Sequence, residues 1–333
     1  MKVSVVLPVF NAESTIERAI RSILQQTFAD FELIVVDDGS TDNTTRTVQR
    51  MTSMDDRLRL FHLSRSGIAR ALNFGIKMSS GKYIARMDAD DFSLSTRLKQ
   101  QVEYLDTHTD TGLVSSLVRY KGDTVAREGY ATYVNWINTI ITSGEIQHKR
   151  FAESPFSHPS VMFRRHLVHR FGGYQEGKLP EDYELWLRWL HHGVAMAKVN
   201  DYLLEWHDYP ERLSRNHSHY AYERFFLVKS RYLKLYLKQQ FGKLLPPLWV
   251  WGAGRVVNNR VRYLKQLGLT IDKFIDVKLR NDKGERFIHY TRLPAPGNLF
   301  ILCYVSDRRG KADILQYLGQ KGYNEGVDFL MMA

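Results

Sequence analysis

Gly81-Lys82-Tyr83-Ile84-Ala85-Arg86-Met87-Asp88-Ala89-Asp90-Asp91 is the stretch whose reading decides the fold. The segment Lys82 to Met87 reads as a buried strand and runs straight into three carboxylates within four residues. Crowding like charges at a strand end is expensive unless something cationic faces them. Hard oxygen ligands of this kind suit Mg²⁺ or Mn²⁺, and those ions in turn suit a diphosphate. The same residues also fit a solvated acidic turn before a helix that begins near Ser95, with Asp91 or Ser93 as its cap.

Strand-like and helix-like patterns alternate upstream of this stretch. Val3 to Val9 predicts a strand, and residues 12–26 a helix with Asn11 placed to cap it. Phe31 to Val36 is a second strand, followed by the turn-rich Asp37-Asp38-Gly39-Ser40-Thr41-Asp42 and a helix to about Met54. Residues 58–63 form a third strand and residues 67–79 a third helix, with Gly81 just past its end. This order predicts an α/β fold with a mostly parallel sheet and helices on both faces. Ligands in such sheets bind outside the carboxyl ends of the strands, where Asp37, Asp38 and Asp88 to Asp91 fall. Downstream, residues 113–120 predict a strand, 133–141 a helix and 157–163 a buried strand. Pro180-Glu181-Asp182 opens another helix, a sound N-terminal signal.

A long amphipathic helix over residues 219–240 precedes a second α/β pattern. Strands are expected at 248–251, 273–277 and 299–305, with helices at 255–267 and 309–320, before a terminal Val327-Asp328-Phe329-Leu330-Met331. The expected division is a catalytic domain over 1–215, a basic helical linker over 216–245 and a small Rossmann-like α/β domain over 246–333. Trp251-Gly252-Ala253-Gly254-Arg255 with Asp276 imitates a dinucleotide fingerprint. The third glycine is missing, because Asn258 and Asn259 stand in its place, so a structural or acceptor-docking role is preferred for this unit.

The 333 residues leave room for two domains with a substantial core, and the 25% charged fraction is that of an ordinary globular protein. No run of about eighteen apolar residues occurs, so no membrane span is expected. The apolar start, interrupted by Pro8 and Asn11, reads as a strand rather than a signal peptide. A single cysteine, Cys303, excludes an internal disulfide and suits a reducing compartment, so a cytoplasmic protein is expected. The net charge of +11 is concentrated: Arg212 to Lys265 carries twelve Lys or Arg residues against one acid, Glu223. Such a stripe, with Arg212, Arg224, Lys229 and Arg231 as its candidate contact residues, predicts an anionic partner: nucleic acid, anionic lipid or a phosphorylated acceptor. A solvated helix face that only maintains solubility is the alternative.

Taken together, Pro8 to Asn11, Asp37 to Asp42, Asp88-Ala89-Asp90 and Pro180-Glu181-Asp182 resemble, in order and spacing, the family 2 glycosyltransferases, inverting enzymes of the GT-A fold. The resemblance covers about residues 1–215. It implies transfer of a sugar from a UDP-sugar donor with Mn²⁺ or Mg²⁺ bound. By resemblance, Asp90 corresponds to the metal-binding acid and Asp88 to the one beside ribose and metal, with Asp91 a neighbouring support or helix cap. Asp38 matches the position that accepts a hydrogen bond from the pyrimidine ring, and Pro8 and Asn11 frame the base. Asp182 corresponds to the general base, with Glu181 its rival. The chain departs from the family pattern around Arg65-Ser66-Gly67: Arg65 replaces a common Asn and Leu72 a common Arg. Arg70, one turn away on the helix, either serves the diphosphate in its place or is an exposed helix arginine. His158 is expected to be structural, whereas His207 lies where a family loop closes over diphosphate and metal.

A narrower resemblance spans nearly the whole chain. Tyr133 to Asn138, Trp251-Gly252-Ala253-Gly254, Phe274 to Val277 and Glu325 to Leu330 look like the enzymes that galactosylate queuosine in tRNA. That resemblance implies UDP-galactose as donor and tRNA as acceptor, with the basic stripe on the RNA backbone. The same stripe fits an anionic membrane and peripheral contact during envelope or lipid-linked glycan assembly.

Overall fold

The computed structural model describes residues 1–123, 128–209, 221–278 and 286–333. It forms two compact units, one of residues 1–146 and 155–220, the other of residues 147–154 and 221–333.

The first unit is built on an eight-stranded sheet. Its strands are β1 (Val3–Val9), β2 (Phe31–Asp37), β3 (Leu58–His62), β4 (Tyr83–Arg86), β5 (Phe92–Ser93), β6 (Thr111–Lys121), β7 (Met162–Arg164) and β8 (Ala195–His207). They lie in the order β3-β2-β1-β4-β7-β6-β8-β5. β1 to β4 are parallel neighbours, as the sequence pattern predicts. Each of β1, β2 and β4 is buried along its full length, which is why each reads as an unbroken apolar run. β7 enters antiparallel to both β4 and β6, and β5 is antiparallel to β8, so the sheet as a whole is mixed. α1 (Ile16–Leu24), α2 (Thr44–Thr52) and α3 (Ile68–Lys77) connect the parallel strands.

Two close fits lock this half. Pro8 pairs in register with Val36 of β2, but β4 stops pairing with β1 at Val6. The missing Pro8 amide therefore falls beyond the last β4 pair, where the ladder asks nothing of it. Gly75 lets α3 settle onto the sheet: a Cβ there would lie 2.5 Å from Val6 Cγ1 and 3.2 Å from Val36 Cγ2.

Several local expectations are corrected. α1 begins at Ile16, with Thr15 at its N-cap, so Asn11 caps nothing. Asn11 instead takes a left-handed conformation (φ 48°) and laces the loop after β1 to the loop after β2. Its amide donates to Ser40 Oγ (3.0 Å), and Thr41 N donates to its Oδ1 (2.8 Å). α4 (Arg97–Thr107) starts after Thr96 without a side-chain cap, so Asp91 does not cap it. Residues 158–160 form a 3₁₀ turn ahead of β7 rather than strand. The 13-residue β8 was not foreseen. Asn200 and Asp201 bulge out where Val199 pairs with Ser116 and Tyr202 with Leu117, and these exposed polar residues split one strand's pattern into two short pieces. The remaining helices of this unit are α5 (Glu128–Asn138), α6 (Ser143–Lys149, whose last three residues belong to the second unit), α7 (His166–Phe171) and α8 (Glu181–His191).

The second unit carries an all-parallel sheet of β9 (Leu248–Trp251), β10 (Lys273–Asp276), β11 (Phe287–His289), β12 (Phe300–Cys303) and β13 (Phe329–Met331), ordered β11-β10-β9-β12-β13. Its helices are α9 (Tyr222–Phe241), α10 (Arg255–Gln266) and α11 (Arg308–Gln320). Residues 147–154 are tied into it: Lys149 Nζ reaches Glu325 (2.7 Å), and the Arg150 guanidinium lies 4.8 Å from the Tyr236 ring centre. Lys229 corrects the surface expectation. It is buried in α9, where its Nζ donates to Ala152 O (2.7 Å) and Met332 O (2.9 Å), and burial lowers its pKa to about 7. Arg231 is exposed and Arg224 partly so, whereas Arg212 lies outside the described residues. Arg260, another member of the basic run, is buried against Tyr222 and Phe226 and donates to Tyr304 O. No helix among the described residues is long and apolar enough to cross a membrane.

Candidate active site

The carboxyl ends of β1, β2 and β4 deliver three loops to one edge of the first unit's sheet. The β4 loop brings Asp88, Asp90 and Asp91 together, with one carboxylate oxygen of each within 4.8 Å of the others. Three hard oxygen donors at that spacing fit a divalent cation of the Mg²⁺ or Mn²⁺ type. The three acids are held differently. Asp91 is fully buried and accepts from the His207 amide at the end of β8 (2.8 Å). Asp90 is held through its backbone: Arg18 of α1 donates from Nη2 to Asp90 O (2.7 Å) and to the Tyr209 hydroxyl (3.2 Å). Asp88 pairs with Arg86 Nη1.

Arg86 was not singled out from sequence, and it is central. It lies in the fully buried β4, and its guanidinium is held charged by Asp88 and Asp91 against the cost of burial. Its field also reaches Asp182, Tyr174 and His158. A lone arginine inside an otherwise apolar strand was the available signal, since a buried guanidinium needs carboxylates nearby.

Asp182 stands at the second position of α8, where Pro180 sets the entry and three acids occupy the first turn. Its Oδ1 accepts from the Tyr183 amide (2.6 Å). Burial pushes its pKa up to about 6, and Asp88 pushes the same way, while the Tyr183 bond and Arg86 oppose them. A carboxylate with its pKa near 6 is ionised at neutral pH yet basic enough to accept a proton. Glu181, the rival base, is buried, and its carboxylate faces His158 Nδ1 at 3.9 Å. His158 bonds through Nε2 to the Tyr174 hydroxyl (2.8 Å) and meets Trp186 edge-on. Burial holds His158 well below the usual histidine range, so it is neutral. Tyr174 is positioned in turn by Asn73 of α3, whose Nδ2 donates to Tyr174 O (2.8 Å) and whose Oδ1 accepts from Tyr174 N (2.9 Å).

On the β2 loop, Asp37 binds its own turn, accepting from the Ser40 amide (2.9 Å) and from Thr45 Oγ1. Asp38 is buried and saturated. Its Oδ1 accepts from Ser66 N and Ser66 Oγ, both at 2.7 Å, and its Oδ2 from Gly67 N (2.9 Å) and Arg65 Nη1. The Arg65 guanidinium also lies over the Phe10 ring, 3.5 Å from its centre. Arg70 is exposed in the first turn of α3. His207 contributes its backbone amide to Asp91. Its ring stacks near Tyr209 and faces Glu205 at 3.7 Å, and burial together with Arg18 lowers its pKa. The acidic group with metal-ligating geometry among the described residues comprises the three aspartates without His207. The sequence-predicted residues thus fall into two groups: Asp88 and Asp182 around Arg86 with Asp90 beside Asp88, and Pro8 near the end of β1 with Asn11 and Asp38 on the loops after β1 and β2.

This arrangement is an α/β fold of the GT-A type, with a second parallel sheet following it. Residues 4–172, about half of the chain, match the family described as Glycosyl transferase family 2, and the chain belongs to that family. It is 31% identical over 190 residues to the O-antigen biosynthesis glycosyltransferase WbnJ of Escherichia coli, covering 56% of this chain and 70% of that protein. It is 29% identical over 272 residues to the putative glycosyltransferase EpsE of Bacillus subtilis, covering 80% and 94% respectively. With an uncharacterized glycosyltransferase of Rickettsia bellii the match, 34% identical, takes in 54% of this chain but only 24% of the relative. Among solved structures, S. aureus TarS 1–349 in complex with UDP-GlcNAc shares the fold at a TM-score of 0.55 and 20% identity, over 80% of this chain and 71% of that one. The mannosyltransferase PcManGT from Pyrobaculum calidifontis, in complex with GDP-Man and Mn²⁺, does so at 0.52 and 23%, over 74% and 66%.

Proposed function

We propose that this glycosyltransferase transfers a sugar, with inversion, from a nucleoside-diphosphate donor to a hydroxyl of a cell-envelope polysaccharide or lipid-linked glycan. The observation that carries the chemistry is the field of one buried cation, Arg86, acting on both the acidic strand end at Asp88 and the raised-pKa carboxyl of Asp182. Asp182 accepts the acceptor hydroxyl's proton as that oxygen attacks the anomeric carbon. The bond from that carbon to the diphosphate breaks on the opposite face, and the nucleoside diphosphate departs. Arg86 keeps Asp182 ionised at neutral pH and holds Asp88 in place. Asn73 and Tyr174 fix the wall beside Asp182, and Arg70 lies free to meet the diphosphate.

Asp88 and Asp90, with Asp91 behind them, would hold a divalent cation. When bound, it supplies Lewis-acid stabilisation of charge on the leaving diphosphate. The Mn²⁺ in the PcManGT complex and the oxygen-only donor set of this chain support that assignment.

The acceptor reading draws on the relatives. WbnJ is named for O-antigen biosynthesis, and AmsE of Erwinia amylovora, 28% identical over 205 residues, for amylovoran biosynthesis. The rival acceptor, queuosine in tRNA with UDP-galactose as donor, leans on the basic stripe, which is thinned by the burial of Lys229 and Arg260. One assay separates them. The protein, Mn²⁺ and labelled UDP-galactose, UDP-GlcNAc or GDP-mannose are incubated in parallel with lipid-linked glycan acceptors and with queuosine-containing tRNA. Label entering the glycan fraction is expected. Label confined to tRNA overturns the acceptor reading, and no release of nucleoside diphosphate in any arm overturns the transferase chemistry.

A further inference from the structure

Two surfaces at the mouth of the site that suit a nucleobase are blocked by the same side chain. Phe10, at the end of β1, is 39% exposed, an unusual position for a phenylalanine beside so many polar loops. The planar guanidinium of Arg65 covers it at 3.5 Å, which is the separation a stacked base would adopt. The same guanidinium donates from Nη1 to Asp38 Oδ2. An ionised carboxylate offers about four acceptor positions, and those of Asp38 are taken by Ser66 N, Ser66 Oγ, Gly67 N and Arg65 Nη1.

Three of these four donors cannot leave independently. The Ser66 and Gly67 amides are backbone at the entry to α3, and the Ser66 hydroxyl binds the same oxygen as its own amide. The fourth sits at the end of a long side chain that is 46% exposed. The Arg65 backbone is itself hemmed in, because a Cβ on Gly39 would lie 2.9 Å from Arg65 N, so the movement belongs to the side chain. A single rotation of that side chain into solvent opens the Phe10 face and one acceptor position on Asp38 together.

We propose that Arg65 occupies the donor's base position in the empty enzyme and is exchanged for the base on binding, so that it sets donor affinity. The proposal rests on the nucleotide-donor reading above. The exchange suits a base that presents an N–H to Asp38 and a flat face to Phe10. On leaving, the guanidinium gives up a stacking contact and a charge-assisted hydrogen bond, and donor binding must replace both.

The test is calorimetric titration of UDP, and of GDP, into the full-length protein with saturating Mn²⁺, comparing wild type with Arg65→Ala and Arg65→Lys. Arg65→Ala is expected to bind the preferred nucleotide about 5- to 20-fold more tightly, because the internal competitor is gone. Arg65→Lys retains the charge but not the plane and is expected to fall between the two. Weaker or unchanged binding by Arg65→Ala, in protein whose melting curve shows it folded, overturns the proposal and makes Arg65 either a direct ligand or a bystander. Arg65→Lys decides the matter should the alanine variant not fold: affinity at or below wild type overturns the proposal. Failure of the wild type and both variants to bind either nucleotide instead removes the donor reading on which the proposal stands.

Discussion

Replacing Asp182 with Asn tests the base assignment by two independent readouts. A free aspartate titrates near 4, whereas burial beside Asp88 carries Asp182 to about 6. A gap of ~2 pH units corresponds to ~3 kcal/mol by which folding disfavours the ionised side chain. The sign follows from the raised value. The stabilising contribution of the protonated form is fully present below pH about 4 and is lost as pH rises through about 6. At pH 7.5 the native protein therefore carries an ionised Asp182 at a cost that a neutral isostere avoids. Asn keeps a carbonyl oxygen for the Tyr183 amide but forgoes the attraction of Arg86, so a gain of ~1–2 kcal/mol is expected, or several degrees in Tm. The advantage should shrink with falling pH and vanish near pH 4. Transfer by the variant should fall by ~10²–10⁴-fold, while kcat/KM of the wild type drops about tenfold per pH unit below about 6. The assays are melting curves from pH 4 to 8 in chelator, with initial rates over the same range in Mn²⁺. A wild-type rate that stays level down to pH 5 would refute the reasoning. So would an Asn variant that is fully active, or one equally destabilised at every pH.

Asp90→Ala should abolish both transfer and the rise in Tm that Mn²⁺ gives the wild type, and a metal-dependent Tm retained in the variant would discard the ligand role. Lys229, whose pKa is lowered to about 7 by burial, makes the wild type gain stability between pH 7 and 10, by at most ~1.4 kcal/mol per pH unit. Lys229→Met should flatten that rise in urea denaturation, and an unchanged slope would mean the amine is not the titrating group. Gly75→Ala places a methyl carbon 2.5 Å from Val6 Cγ1 and should destabilise the first unit by ~1–3 kcal/mol, read as a lower urea midpoint. A midpoint equal to wild type would show that α3 can lift away from β1 without loss.

What was legible in the sequence, and what was not, follows from how each residue's surroundings appear in a linear chain. Strands β1 to β4 could be read because burial on both faces leaves an unbroken apolar run between helical intervals, so period and boundary agree. β8 escaped because its bulge at Asn200 and Asp201 exposes polar residues in mid-strand, and periodicity has no way to register a residue that leaves the ladder. At the site, acids announce themselves by type and spacing, which singles out the cluster of Asp88, Asp90 and Asp91, whereas Asp182 and the separate roles of Asp88 and Asp90 come from the family resemblance. Their partner Arg86 is hidden in a strand that otherwise reads as core, and only the rule that a buried cation needs carboxylates nearby would have exposed it.

Lys229 shows the opposite error. Counting charge along residues 212–265 treats each cation as solvated, yet the periodicity of α9 places this one inside. It lies three residues after Phe226 and four before Leu233, on the face that also buries Leu237. Helical phase should therefore be applied before charge is summed. By that rule the basic face of α9 narrows to Arg231 and Lys238, with Arg224 partly exposed, while Lys234 is occupied by the Leu267 carbonyl. Beyond α9, Lys243, Arg255, Arg262 and Lys265 stay exposed, so the described stripe is reduced rather than removed, and salt-dependent affinity scales with the number of phosphates such a row neutralises at once. The transfer assay, with its glycan and tRNA arms run in parallel, therefore decides the acceptor.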